Sequence, residues 1–344
     1  SNGYKGGATR FIEQHINYTY KKKFSIFLID DNPNKTYINF KNLVNIKTIK
    51  SSIFKKKRKT QNIIKNIIKN KPDNVTFFTT NYLIYLYYYF FFKRYQKLNS
   101  KFVMTLHSGV FNLNFKTIIG ALFFSLIVRK IGLLFYGSSS AKDWWISRFP
   151  WMQNIKSEII HNGIEQKRFK KKKLKKKINV SFVGRVEMEN NPKLFVKVAT
   201  EMNKINKNYN FHIYGDGPML KNLNKKFIII HGWKKKPDIF KNTDILMITS
   251  FLTNFPYVAL EAKVNAIPII SCSRGDVKKL INNSIDGFIT KKNDFKVLIK
   301  LIFKVKSKYN YFSHNSYLSS LKFDVNNSCK KLWSVIESEN NNSR

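Results

Sequence analysis

Short apolar runs alternate with amphipathic stretches along almost the whole chain, the pattern of a parallel sheet covered by helices. In the first half, Phe24–Ile29, Val75–Thr80, Phe102–Leu106, Leu133–Tyr136 and Ile159–Ile160 read as strands. Helices are expected between them over Arg10–His15, Tyr82–Tyr95, Phe115–Ile131 and Ala141–Arg148. The second half repeats the alternation more cleanly, with strands at Val180–Val183, Phe211–Tyr214, Phe227–Ile230, Ile245–Ile248, Ile267–Ser271 and Phe288–Ile289. Helices are expected there over Pro192–Met202, Pro256–Asn265 and Phe295–Lys306, with a last helix from Lys322 to about Glu339. No short-period repeat is present.

A charge run interrupts the pattern. From Lys167 to Lys177 every residue is Lys or Arg except Phe169 and Leu174. Like charges at that density repel and resist packing, which marks a linker. The expected fold class is therefore α/β, with one βα domain over 1–166, a basic linker over 167–177, a second βα domain over 178–321, and a helix with a frayed tail over 322–344. A glycine loop such as Gly3–Gly7 ordinarily follows the first strand of a βα domain. Almost nothing precedes it here, so the first strand of the N-terminal domain is expected to be missing from the sequence.

Length and composition agree with this picture. A chain of 344 residues accommodates two domains with cores of their own, and 43% hydrophobic residues exclude disorder. Two cysteines, Cys272 and Cys329, make neither a disulfide scaffold nor a cysteine zinc site, so a reducing, cytoplasmic setting is expected. The longest strongly apolar stretches, Tyr82–Phe92 and Ile118–Val128, fall short of the roughly 20 residues a membrane span needs. The opening SNGYKGGATR is polar and does not read as a signal peptide.

The net charge is +43, carried by 54 lysines and only 9 arginines, beside 39 asparagines and 7 alanines. That bias is what an AT-rich coding sequence produces. It also makes a cationic surface suited to anionic lipid. Scarce arginine argues against sequence-specific nucleic-acid binding, which leans on the guanidinium fork.

Ligands of open α/β sheets bind beyond the carboxyl ends of the strands, so the loops that follow strands hold the candidate chemistry. Gly6-Gly7 opens the helix at Arg10, where backbone amides approach an anion or simply turn the chain. His107 follows the strand Phe102–Leu106 and is either a functional group or a structural one. Arg185, after Val183-Gly184, either clamps a diphosphate or lies on the surface. Gly215-Asp216-Gly217-Pro218 is explained by turn chemistry. The stretch SFLTNFPYVALEAK, Ser250–Lys263, is the most informative. Pro256 suits a first helical turn, the amides near Tyr257 and Val258 suit phosphate oxygens, and Glu261 suits ribose hydroxyls or is an exposed helix acid.

Several of these segments follow one another at the spacing of a known group. FVGR (Phe182–Arg185), NPKLFVKVA (Asn191–Ala199), YGDGP (Tyr214–Pro218), HGW (His231–Trp233), NFPYVALEA (Asn254–Ala262), IPIIS (Ile267–Ser271), GDV (Gly275–Val277) and DGFI (Asp286–Ile289) together resemble the family 4 glycosyltransferases of the GT-B fold. GGAT near the start, LHSG at Leu106–Gly109 and HNGI at His161–Ile164 extend the resemblance more loosely. It implies two Rossmann-like domains facing across a cleft, sugar transfer from a UDP- or GDP-sugar with retention of configuration, and neither metal nor separate cofactor. It implies that Arg185 holds the donor diphosphate and Glu261 the ribose, with the amides around Tyr257 and Val258 on the phosphates. Gly232 and Trp233 would face the base, His107 the transferred sugar, and Gly6 and Gly7 the diphosphate. The implied acceptor is a cell-surface glycan or a lipid-linked one, recognised by the first domain. The cationic chain and apolar first-domain segments such as Ile118–Val128, which also suit a core, predict peripheral attachment to the inner face of a membrane.

Three positions depart from the resemblance. Asn190 stands where a lysine is usual, Thr253 replaces the first of two glutamates, and Lys279 replaces the acid after GDV. A non-catalytic or decayed member that binds nucleotide or glycan is therefore the competing reading. A nucleotide-sugar epimerase and a nucleic-acid binder rank below it.

Overall fold

The computed structural model describes residues 7–18, 26–30, 46–50, 75–79, 100–107, 115–128, 132–172, 174, 176–272 and 274–341. Gly6 and the aromatic segment Tyr82–Tyr95 lie outside the described residues. The chain forms two compact units. One comprises Ser1–His161 with Cys329–Arg344, the other Asn162–Ser328.

The first unit contains a parallel pair, β1 (Ile26–Asp30) with β2 (Ile46–Lys50), and a parallel sheet of β3 (Val75–Thr79), β4 (Ser100–Leu106), β5 (Gly132–Tyr136) and β6 (Ser157–Ile159) in that spatial order. Helices Gly7–Tyr18, Phe115–Ile127 and Ser139–Arg148 accompany them. Ser138 caps the last of these, its hydroxyl oxygen accepting from the Ala141 amide at 3.0 Å. Phe11, Val103, Leu133, Phe135 and Ile160 form a core that is completed by Leu332 and Ile336. Those last two belong to the C-terminal helix Val325–Asn341, whose Cys329, Leu332 and Ile336 repeat at helical spacing on one buried face. Trp333 also donates from Nε1 to the His15 carbonyl at 3.2 Å. The end of the chain is thus an integral part of the first unit from Cys329 onward, where the sequence suggested a separate helix and tail.

The second unit is one sheet of six parallel strands: β7 (Ile178–Val183), β8 (Tyr209–Tyr214), β9 (Ile229–Gly232), β10 (Ile245–Ile248), β11 (Ile269–Ser271) and β12 (Gly287–Ile289). Their order is β12-β11-β10-β7-β8-β9, so the sheet grows outward in both directions from β7. The crossover point between β7 and β10, paired at Ile245↔Val180, is where a doubly wound sheet leaves a crevice beyond its carboxyl ends. Such a sheet is covered on both faces, which is why β10 (ILMI) is wholly apolar and buried. On one face Phe182, Phe211 and Met247 pack with Phe195 and Met202 of the helix Pro192–Ile205 and Leu298 and Ile302 of the helix Phe295–Ser307. On the other, Leu246, Ile248 and Ile269 pack with Leu260 of the helix Tyr257–Val264.

The basic run does not stand apart as a linker. The division between units falls between His161 and Asn162, ahead of the run. Phe169 packs its ring 5.2 Å from His314 and 5.1 Å from Tyr317, and Lys172 lies 3.5 Å from the buried Asp244 carboxylate. One buried acid and one aromatic anchor are enough to lay the cationic strand of chain along the second unit. Its partners Tyr317 and His314 belong to the helix Tyr309–Ser320, which the sequence pattern did not suggest. That helix is rich in Ser, Asn and Tyr rather than strong helix formers, and is fixed by burial. Ser313 and Ser316 donate to the carbonyls of Ala266 and Ile267 at 2.7 and 2.8 Å, satisfying the turn before β11.

Candidate functional site

In the second unit, the loops that leave β7, β8, β9 and β10 emerge at the carboxyl edge of the sheet because the strands are parallel. Glycine sets how closely they approach. A Cβ on Gly215 would strike the carbonyl of Gly184, and one on Gly217 would strike the carbonyl of Val186. Gly215 also has φ +144°, which a side chain would strain. The turn after β8 is thus pressed against the loop that carries Arg185. At the end of β9, Gly232 adopts φ +63°, and the next residue, Trp233, is exposed.

Asn190 ties two of these loops together. Its Nδ2 donates to the Arg185 carbonyl at 2.7 Å, and its Oδ1 accepts from the Ser250 hydroxyl at 3.1 Å. Its own carbonyl accepts from Thr249 Oγ1 at 3.0 Å, and the neighbouring Glu189 carbonyl accepts from the Phe251 amide at 3.0 Å. The position read as a missing cation is therefore a staple between the loops after β7 and β10, a role no local pattern shows. Arg185 itself projects outward, 2.7 Å from Glu187, in an exposed pair that costs little to break.

The loop after β10 is held at its far end as well. The Thr253 amide donates to the Arg274 carbonyl at 2.9 Å, and Asn162 Nδ2 donates to the Phe255 carbonyl at 2.6 Å. The helix then begins at Tyr257, with Pro256 just before it rather than within it. Tyr257 and Val258 supply its leading amides, the arrangement that favours an anion. One turn deeper, Glu261 is buried, and its carboxylate is paired with Lys236 from the segment after β9. The sequence reading missed this lysine, since the partners lie far apart along the chain. Two residues on, Lys263 is fully buried against Asp286 at 2.9 Å. Lys279 sits on the short helix Val277–Leu280, 3.7 Å from Asp276.

At the sheet edge, His212 Nδ1 lies 2.9 Å from His231 Nε2, and the His231 ring stacks on Tyr214 at 4.3 Å. Burial, followed by the neighbouring His231, pushes the His212 pKa down to about 4. Burial and Lys234 push His231 down as well. Both rings are neutral near pH 7, and one of the two facing nitrogens donates while the other accepts.

Of the remaining sequence-derived candidates, His107 and Gly7 belong to the first unit. His107 closes β4, with its ring edge-on to Phe11 at 4.6 Å. A Cβ on Gly137 would come within 2.6 Å of its Nδ1, so glycine there makes room for it. Burial, with a smaller contribution from His15, lowers its pKa to about 3, so the imidazole is neutral. Gly7 is the exposed first residue of the helix Gly7–Tyr18. Arg185, Asn190, Gly232, Trp233, Thr253, Tyr257, Val258 and Glu261 all lie on the carboxyl side of the second unit's sheet, as their motifs implied.

This architecture, with parallel sheets of Rossmann type in two units, is the GT-B fold of glycosyltransferases. Solved structures that share it include Anabaena HepE in complex with UDP and glucose, at TM-score 0.75 and 14% identity over 98% of both chains. The lipopolysaccharide outer core galactosyltransferase WaaB in its apo form aligns at TM-score 0.71 and 19% identity, over 98% of this chain and 97% of that one. In sequence, residues 163–318 match the family model described as Glycosyl transferases group 1. A relative from Escherichia coli, UDP-Gal:alpha-D-GlcNAc-diphosphoundecaprenol alpha-1,3-galactosyltransferase, is 27% identical over 175 residues, 44% of this chain and 45% of that protein. The match thus spans under half the length of that curated relative.

Proposed function

We propose that the protein is a glycosyltransferase that takes a sugar from a UDP- or GDP-sugar and passes it to a lipid-linked or cell-surface glycan with retention of configuration. The observation that carries the reading is the placement of Glu261. It is a buried carboxylate one turn inside the helix after β10, beside the crossover point, with Arg185 on the adjoining loop. A carboxylate there accepts from ribose hydroxyls, while the helix amides at Tyr257 and Val258 and the Arg185 guanidinium face the diphosphate. Gly232 and Trp233, at the end of β9, border the base. As the bond to the sugar breaks, negative charge builds on the diphosphate, and fixed cations and amides stabilise it without a metal. His107, at the end of β4 in the first unit, is neutral at working pH. The acceptor in the galactosyltransferase relative's name, a sugar on diphosphoundecaprenol, supports a lipid-linked substrate. We place the reaction in the cytoplasm at the membrane's inner face.

The test is transfer of radiolabelled sugar from a panel of UDP- and GDP-sugars to diphosphoundecaprenol-linked acceptors, with the anomeric proton coupling of the product read by NMR. Labelled product with the donor's anomeric configuration supports the reading, and inverted product removes the retaining mechanism.

A second reading is favoured by one observation. Asn190 spends its side chain on the staple and Thr253 carries no charge, so fewer groups face the sugar and diphosphate than a typical member has. A binding protein without transfer follows if nucleotide binds and no donor is turned over with any acceptor.

A further inference from the structure

The chain after β9 brings a cation to the carboxylate of Glu261. The segment GWKKKPDIFK, Gly232–Lys241, leaves the sheet and enters a short helix, Lys236–Lys241. Lys235 before it is extended, and Pro237 suits the first turn, where its missing N–H leaves no bond unmade. Ile239 and Phe240 of this helix are buried in one cluster with Leu260, the neighbour of Glu261. Those two apolar side chains seat the helix, so Lys236 pairs with Glu261 from an anchored base rather than from a loose loop.

The two partners are buried unequally. The Glu261 side chain keeps 10% of its surface exposed, and the Lys236 side chain 56%. A carboxylate that deep needs a counter-charge. An ammonium on an open four-carbon stem has three donors, so it can serve a second acceptor without leaving the first. The helix that carries Glu261 says where such an acceptor would lie. Glu261 is four residues after Tyr257, so the pair stands about one turn, roughly 5 Å, from the leading amides. In a nucleoside diphosphate whose ribose lies on Glu261, the α-phosphate follows one carbon and one oxygen beyond the sugar ring. A diphosphate carries more than one negative charge. Arg185 offers one cation, while Asn190, where a lysine is usual, is neutral and tied to the Arg185 carbonyl and the Ser250 hydroxyl.

We propose that Lys236 is a donor-binding residue that holds the Glu261 carboxylate before the donor arrives and then reaches its α-phosphate, supplying the cation absent at Asn190. This role rests on the reading of a nucleotide-sugar donor at Glu261. Cations from two loops, after β7 and after β9, then meet the charge that builds on the diphosphate as the bond to the sugar breaks.

Calorimetric titration of UDP, GDP, uridine and guanosine into the full chain, Lys236→Gln, Lys236→Arg and Lys241→Gln tests it. Glutamine keeps a hydrogen bond to Glu261 and loses the charge. Lys241, exposed at the other end of the same helix, controls for net charge. For the diphosphate that the parent binds, affinity should fall about tenfold or more in Lys236→Gln and stay within about threefold of the parent in Lys236→Arg. Lys241→Gln should stay within about twofold, and the matching nucleoside, which has no phosphate, should lose less than about threefold in Lys236→Gln. Equal losses for diphosphate and nucleoside overturn the role, because Lys236 then acts on the ribose through Glu261 alone. Unchanged diphosphate affinity in Lys236→Gln, or an equal loss in Lys241→Gln, overturns it too. If the unpaired carboxylate unfolds Lys236→Gln, the double variant Lys236→Gln/Glu261→Gln is compared with Glu261→Gln. The affinity that remains should then fall for the diphosphate and not for the nucleoside, and the reverse overturns the role. A cooperatively folded parent that binds neither diphosphate removes the donor reading and this role with it. A parent that binds one, with variants unaltered, removes the role alone.

Discussion

Replacing Lys263 with Met should destabilise the second unit by about 3–5 kcal/mol, the cost of removing one partner of a buried ion pair. Lys263 and Asp286 are both fully buried, 2.9 Å apart. Lys263 also donates to Ser319 Oγ at 2.7 Å, and Asp286 accepts from the Asn282 amide and side chain at 2.9 and 2.8 Å. The pair thus pins the helix bearing Glu261 to the loop before β12 and to the helix Tyr309–Ser320. Lys263→Met leaves the Asp286 carboxylate with its two neutral donors and no counter-charge. Lys263→Met/Asp286→Asn removes both charges and should recover most of the loss, a coupling of about 2 kcal/mol or more. Asp286→Asn alone should cost less than Lys263→Met, because an unpaired lysine can shed its proton. Burial already holds the Lys263 pKa down to about 8, against the pull of Asp286. The sign of the pH effect follows. A base whose folded pKa lies below its unfolded value of 10.5 is released from its proton first in the native state, so its contribution to stability rises with pH above about 8. The assay is urea unfolding at pH 7 and pH 9 for parent, single and double variants. A Lys263→Met loss under about 1 kcal/mol at unchanged slope, or a double variant no better than the single, would refute the reasoning.

Arg185→Ala should abolish stabilisation by nucleoside diphosphates while leaving the ligand-free melting midpoint unchanged, because its pair with Glu187 is exposed. Differential scanning fluorimetry with and without UDP and GDP reads both. Gly215→Ala should cost more than about 2 kcal/mol in urea unfolding, since its methyl would strike the Gly184 carbonyl at φ +144°. His212, folded pKa about 4 against 6.5 unfolded, should withdraw stability as pH falls from about 6.5 toward 4, because protonation favours the unfolded chain. His212→Gln should flatten that part of the pH–stability curve, provided that variant folds at pH 7.

The alternation of strands and helices was legible because parallel strands buried on both faces are plain apolar runs, and five of the second unit's six strands coincide with one, while the edge strand β9 starts two residues later than expected. Strand β2, IKTIK, escaped because its lysines break the apolar run. The helix Tyr309–Ser320 escaped because serines that bury by bonding to distant carbonyls look like a loop. The basic run misled for a related reason: local charge density predicts repulsion, while the buried Asp244 that anchors Lys172 lies 72 residues further on. At the carboxyl edge of the second unit, the motifs pointed to Arg185, Tyr257 and Glu261 because each lies in or just after a loop that follows a strand. They did not find Lys236, or the staple made by Asn190, because those depend on which loops the sheet order brings together. That order, with β7 beside β10, brings the loops that carry these separate motifs to one edge of the sheet.

The central claim is that this crossover point binds a nucleoside diphosphate through Glu261 and Arg185. Calorimetric titration of UDP and of GDP into the full chain, Glu261→Ala and Arg185→Ala tests it most directly. The account predicts one-to-one binding of one of the two nucleotides by the parent, and its loss in both variants while they still unfold cooperatively. Binding that survives both substitutions, or none by a cooperatively folded parent, would contradict it.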